Sequence, residues 1–219
     1  TTDRPLAERV RYPMISYPDS TLDGAEPQPE PNQWLLLPYG YNPKALAAGL
    51  ALRKIADPGE RVNTVLRQSR EQPYSYTLEP PLLGRHSVDE FLYGTRAGFC
   101  EHYSGAFVFL MRAAGIPARV VTGYQGGEPN PLDGFVTVRQ SDAHAWPEVW
   151  LRGRGWVRVD PTAMVQPARI GALQRLRAPD SAFASAVGTV SPNLLASVRQ
   201  APEAVNNRWN QWVLNYTQS

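Results

Sequence analysis

The chain has 219 residues, a length that suits one generous domain or one domain with extensions. Hydrophobic residues make up 42% and charged residues 19%, an ordinary balance able to bury a core. The net charge is +2, there is no basic run interleaved with aromatics of the kind that reads nucleic acid, and no stretch of about 18 apolar residues is present to span a bilayer.

The first residues, Thr1-Thr2-Asp3, lack a Met and carry no signal-peptide pattern, so the chain reads as a piece excised from a longer protein. Residues 13–32 are rich in proline and acidic side chains. They are expected to form an extended arm, because proline fixes φ and removes amide donors. Asn42-Pro43 opens a helical pattern, with Leu46, Leu50 and Ile55 on one side. A second helix is expected over 58–72, with Val62, Val65 and Leu66 facing inward. Residues 74–78 alternate and are β-prone. Ser87-Val88-Asp89-Glu90 matches a capping box, in which a Ser hydroxyl and a Glu carboxylate satisfy first-turn amides reciprocally.

Residues 100–114 read as an apolar, largely buried helix closed by Gly115 and Pro117. Strands follow at 118–124, 135–139, 143–151 and 156–159, with a turn-rich loop at 126–134. Helices followed by an antiparallel meander make an α+β pattern. Residues 178–192 read as a flexible connection. A last helix is expected over 203–216, with Trp209 and Trp212 on its apolar side. The domain division is therefore a Pro-rich arm at 1–32, a catalytic domain at 33–177, and a linker with a C-terminal helix at 178–219.

Chemistry concentrates in the middle of the chain. Cys100, the only cysteine, sits where a loop becomes a helix. A helix N-terminus carries about half a positive charge and several unpaired amides. Both favour a thiolate, the nucleophilic form of cysteine, and the same amides suit the negative oxygen of a tetrahedral intermediate. The bland alternative is a small buried hydrophobe. Along 142–148, Asp142, His144, Trp146 and Glu148 alternate onto one strand face. Trp156, Arg158 and Asp160 do the same beyond the Arg152-Gly153-Arg154-Gly155 hairpin. A register pairing 148 with 156 and 146 with 158 sets His144 opposite Asp160, with Cβ atoms roughly 5 Å apart. His144 would then pair with the Cys100 sulfur, while Asp160 orients the imidazole and stabilises its charge. Pro161 ends the strand behind Asp160.

Four stretches, Gly98-Phe99-Cys100-Glu101-His102-Tyr103, residues 113–119, residues 144–150 and residues 155–162, together resemble the transglutaminase-like superfamily. The resemblance implies a papain-like core: a buried helix with the Cys at its N-terminus, packed on an antiparallel sheet carrying His and Asp. It implies Cys100, His144 and Asp160 as the catalytic triad, and acyl transfer from protein glutamine side chains to primary amines without a cofactor. More narrowly, the Pro-rich entry, residues 33–97 and the Trp-rich tail resemble the periplasmic domain of bacterial inner-membrane, TgpA-type transglutaminases. That implies flanking transmembrane helices outside this chain and a domain facing the periplasm.

Trp146, on the His144 face, and Tyr103 are candidate substrate-lining residues, with Ser104 a weaker one. His102 lies about 200° around the helix from Cys100 and fits a packed or capping role. His86 reads as a loop residue and Glu101 as a favourable first-turn charge. One Cys and three scattered His show no metal-site spacing. Two other functions use the same residues. A cysteine peptidase or glutamine deamidase would resolve the thioester with water, and a non-catalytic peptide-binding module would leave the triad idle.

Overall fold

The structure is a computed structural model that describes residue 15 and residues 31–165. The Pro-rich arm before residue 31, the connection at 178–192 and the Trp-bearing segment at 203–216 lie outside the described residues. Residues 31–127 and 138–165 belong to one compact unit, and residues 128–137 to another.

The larger unit is α+β. Its helices are α1 (Pro31–Leu35), α2 (Pro43–Leu52), α3 (Pro58–Glu71), α4 (Ser87–Glu90), α5 (Cys100–Ala113) and α6 (Thr162–Val165). Its strands are β1 (Ser75–Tyr76), β2 (Ala97–Gly98), β3 (Ala118–Tyr124), β6 (Ala143–Leu151) and β7 (Gly155–Arg158), with β4 (Glu128–Pro129) and β5 (Val136–Thr137) in the smaller unit. The sheet order β3-β6-β7 is antiparallel throughout. The segment around 135–139 does not join it. Val136–Thr137 pairs instead with Glu128–Pro129, inside the stretch expected to be a loop, as a separate two-stranded hairpin.

Helix α5 is the hub. Phe107, Leu110, Met111 and Ala114 are buried with Ile116, Ala118, Val149 and Leu151 from the sheet side and with Val62 and Val65 of α3. Fully burying such a side chain contributes about 2 kcal/mol each, so this helix is fixed on its strands by its apolar girth. Val62 and Val65 face inward, as their spacing indicates.

Helix α2 differs from its expected orientation. The buried positions are Ala45, Gly49 and Leu52, whereas Leu46 and Leu50 are exposed. The reason is close approach: a Cβ on Gly49 would lie 2.3 Å from the Ala113 Cβ and 2.9 Å from the Leu110 carbonyl oxygen. Only a stripe of small residues lets α2 approach α5 so closely, so the larger leucines turn outward.

The capping box is likewise displaced. His86, not Ser87, is the N-cap of α4, and the Glu90 carboxylate takes the amides of Gly84 (2.6 Å) and His86 (3.3 Å). The α4 amides of Val88 and Asp89 donate to the buried Asn42 side chain at 3.0 and 3.4 Å. In return the Asp89 carboxylate takes the α2 amides of Lys44 and Ala45 at 2.9 and 2.7 Å. His86, far from idle in a loop, accepts the Asn42 amide on Nδ1 at 3.0 Å. Two helix N-termini therefore cap each other across the tertiary structure, each carboxylate or amide oxygen satisfying donors that their own helix cannot. Asp89→Ala orphans two α2 amides and is expected to cost about 2 kcal/mol. The check is the urea midpoint at unchanged slope, and a shift below a few tenths of a kcal/mol would refute the mutual cap.

Candidate active site

The approach to α5 is held by two short parallel strands. Ser75 and Tyr76 of β1 pair with Ala97 and Gly98 of β2, and the Ser75 and Thr77 amides donate to the Arg96 and Gly98 carbonyls at 2.9 Å. Gly98 has to be glycine: a Cβ there would meet the His102 ring carbon at 2.8 Å and Phe91 at 3.1 Å. Phe99 is extended and serves as the N-cap of α5. Its amide donates to His102 Nδ1 at 3.4 Å. Burial lowers the pKa of His102 against the upward pull of Glu101, which favours the neutral ring that Nδ1 needs in order to accept. Cys100 follows as the first residue of α5, at the helix end where backbone N–H groups lack helical partners.

The imidazole arrives from β6. Ser104, fully buried on α5, donates its hydroxyl to the Ala145 carbonyl at 2.9 Å, which ties the helix that begins at Cys100 to the strand one residue past His144. His144 Nε2 lies 2.8 Å from Asp160 Oδ2, and the ring also hydrogen-bonds Cys100, which falls to Nδ1. The structure thus brings Cys100, His144 and Asp160 into one hydrogen-bonded chain.

The strand register differs from the expected one. Trp156 pairs with Trp150 and Arg158 with Glu148, two residues away from the assumed partners. A slip of two keeps every side chain on its face, whereas a slip of one would reverse them. Asp160 lies past the end of β7 and reaches His144 diagonally rather than straight across. Its second oxygen, Oδ1, accepts the Thr162 amide at 3.2 Å across the buried Pro161, which closes the turn into α6. Arg158 adds a cation 3.5 Å from Oδ2, while its guanidinium lies 4.3 Å from the Trp146 ring centroid and donates to Gln125 at 3.0 Å.

The two lining candidates are placed differently from each other. Trp146 is half-buried between Arg158 and the sheet, its ring 6.1 Å from that of His144. It supports the His144–Asp160 side of the site. Tyr103 is buried beneath the approach strand among Phe91, Tyr74 and Tyr76, and its hydroxyl donates to the Ser75 carbonyl at 2.8 Å. Burial, and then Tyr74, push its pKa far up. Beside Cys100 and His144 opens a cleft of about 660 Å³ whose walls include Tyr76, Leu78, Val120 and Tyr124. Leu78, Val120 and Tyr124 are between 43% and 53% exposed, so the cleft presents apolar surface to incoming chains. Among the described residues no group of three His, Cys, Asp or Glu side chains is placed to hold a metal ion.

Sequence reasoning placed Ser104 only as a weak lining candidate and gave Arg158 no role. The clamp to Ala145 had no local signal, being a contact between residues 41 apart. Arg158 did carry one: it stands two positions before Asp160 and so shares its face.

Electrostatically the imidazole is held charged. Burial, the largest single influence, pulls His144 down, but hydrogen bonds to Asp160 and Cys100 and the charges of both together raise it to about 9. An imidazolium beside a sulfur is the arrangement that supports a nucleophilic thiolate.

The transglutaminase-like superfamily model matches residues 44–161, more than half of the chain, and the protein belongs to that superfamily. Among its relatives, the chain is 42% identical over 224 aligned residues to the protein-glutamine gamma-glutamyltransferase of Pseudomonas aeruginosa, covering 97% of this chain and 33% of that protein. It is similar to the crystal structure of the periplasmic domain of TgpA from the same organism, with a TM-score of 0.62 and 51% identity, over 63% of this chain and 48% of that one. A 79-residue stretch is 44% identical to the uncharacterized protein YebA of Bacillus subtilis, covering 34% of this chain and 11% of that protein. The chain thus spans about a third of the first relative's length and about half of the solved domain.

Because the folded pKa of His144 lies above the unfolded value of about 6.5, its contribution to stability is complete below about pH 6.5. That contribution is lost as pH rises through about 9. The wild type is expected to lose more stability across that window than Asp160→Asn, and the imidazole to titrate near 9 by NMR. Parallel stability curves for the two proteins would contradict the ion-paired state.

Proposed function

We propose that the chain is the catalytic domain of a transglutaminase, with Cys100 as nucleophile, His144 as acid and base, and Asp160 as the group that orients and charges His144. The observation that carries this reading is the hydrogen-bonded chain from Asp160 through His144 to Cys100 at the edge of an open, apolar-walled cleft. The name of the P. aeruginosa relative supplies the reaction class.

The chemistry follows from the geometry. The Cys100 thiolate attacks the carboxamide carbon of a glutamine side chain, and the Cys100 amide is placed to hold the oxygen that becomes negative. His144 passes its Nδ1 proton to the departing nitrogen, ammonia leaves, and a thioester remains. His144, now neutral, takes a proton from the incoming primary amine, whose nitrogen attacks the thioester. The amide product departs and the thiolate–imidazolium pair is restored. Asp160 holds Nε2 throughout, which keeps Nδ1 aimed at sulfur.

Residues 33–177 are read as this catalytic domain, residues 1–32 as its entry arm, and residues 178–219 as leading towards a membrane segment. The likeness to the TgpA periplasmic domain supports reading the domain as periplasmic, and the same reading expects transmembrane helices outside these residues. Among the described residues no helix is long and apolar enough to cross a membrane. Helix α1, which begins at Pro31, straddles the boundary between arm and domain.

Incubation with a glutamine-rich protein and a small primary amine, followed by peptide mass spectrometry, tests the reading. Amine is expected at glutamine with the wild type and not with Cys100→Ala. Asp160→Asn is expected to retain the fold and lose at least about a hundredfold in rate through misorientation of His144. Glutamine converted only to glutamate would make the protein a deamidase, chain cleavage a peptidase, and full activity in either variant would remove the triad assignment.

A further inference from the structure

Glu101 is exposed on the first turn of α5 and stands directly after the nucleophile. It borders two depressions at once. One is the cleft that holds Cys100 and His144; the other is a groove of about 470 Å³ along the next face of α5, walled by Pro80, Leu82, Leu83 and Phe91. Among the described residues Glu101 is the sole carboxylate in either wall, and neither wall contains a Lys or an Arg. Among the described residues it makes no ion pair.

We infer that Glu101 is the acceptor-recognition residue of the proposed transglutaminase, drawing a cationic primary amine, such as a lysine side chain, across the ridge between the two depressions to the thioester at Cys100. The inference rests on that activity and assigns a residue to the recognition of its second substrate. A primary amine is an ammonium near neutral pH, and it is this cation that first meets the rim of the cleft. A carboxylate at the rim raises the local concentration of such a cation. Once ammonia has left, His144 is neutral and Asp160 stays beside the Arg158 cation at 3.5 Å, so the carboxylate at the rim that makes no ion pair among the described residues is that of Glu101. The ammonium sheds two protons in becoming an amide N–H. His144 takes one, restoring the imidazolium, and the other passes to water at the exposed Glu101 edge. That second proton balances the one that departing ammonia takes up from solvent.

Two acceptors of nearly equal size separate this role from a structural one: methylamine, a cation near neutral pH, and hydroxylamine, which is neutral there. The ratio of kcat/KM for methylamine to that for hydroxylamine, on a glutamine peptide, is expected to fall roughly two- to fivefold in Glu101→Gln. It should fall further in Glu101→Lys and be retained in Glu101→Asp. Added salt is expected to narrow the gap between wild type and Glu101→Gln, since the attraction is screened. An unchanged ratio in Glu101→Gln and Glu101→Lys overturns the inference, as does an equal loss with both amines, which would make Glu101 only a favourable charge at the helix start. A wild type that hydrolyses glutamine without incorporating either amine, or that leaves the peptide untouched, overturns the proposed activity itself and this inference with it.

Discussion

A buried hydroxyl, Ser104, donating to the Ala145 carbonyl couples the two elements that carry the thiol and the imidazole. The apolar body of α5 packs the helix against the sheet, but hydrophobic burial has no direction of its own. A hydrogen bond has direction. With Ser104 four residues past Cys100 and Ala145 one past His144, this bond ties α5 to β6 close to the Cys100–His144 contact, as the Arg112 bond to the Ala118 carbonyl at 2.9 Å ties its other end to β3. Around it the diagonal reach of Asp160, the cation of Arg158 over Trp146, and the turn closed by the Thr162 amide hold the imidazole from the other side.

The far end of α5 is set by a different constraint. Gly49 admits α2 to within contact of Ala113, and α2 in turn is held by the Asp89 carboxylate of α4. Because α4 leads through the π-helical turn Phe91–Thr95 into β2 and then Cys100, the helix that braces the back of α5 and the strand that delivers its front belong to one continuous arrangement. Asn42 in a left-handed conformation (φ 53°) is what lets both caps form, by turning its side chain into α4 while α2 begins behind it.

Most of the site was legible because it is local. The limits of α5 and β3, the strand carrying His144, the hairpin at Gly153 and the shared face of His144 and Asp160 follow from spacing, glycine placement and period-two alternation. The register was misjudged by two residues at no cost to the face assignment, because the period of a strand is two. What escaped was non-local. Leu46 and Leu50 carry the stronger hydrophobic signal, yet Gly49 decides which side of α2 is buried, and nothing within α2 reveals that Ala113 lies opposite. Ser87 and Glu90 fit a capping box on paper, but Asn42, 46 residues from Val88, fills the role of the expected hydroxyl. Tyr103 looked like a lining residue from its nearness to Cys100 in sequence, and its side chain instead runs under the approach strand.

That the only thiol of the 219-residue chain is the one beside the charged imidazole has a chemical consequence beyond the proposed acyl transfer. A cysteine sulfur is oxidisable, and a sulfenic acid is ordinarily rescued by a neighbouring thiol that traps it as a disulfide. No such partner exists within these residues. Each oxidation at Cys100 therefore awaits an external reductant or proceeds to the irreversible sulfinic state, so the lifetime of the site is bounded by the redox conditions around it as well as by the stability of the fold.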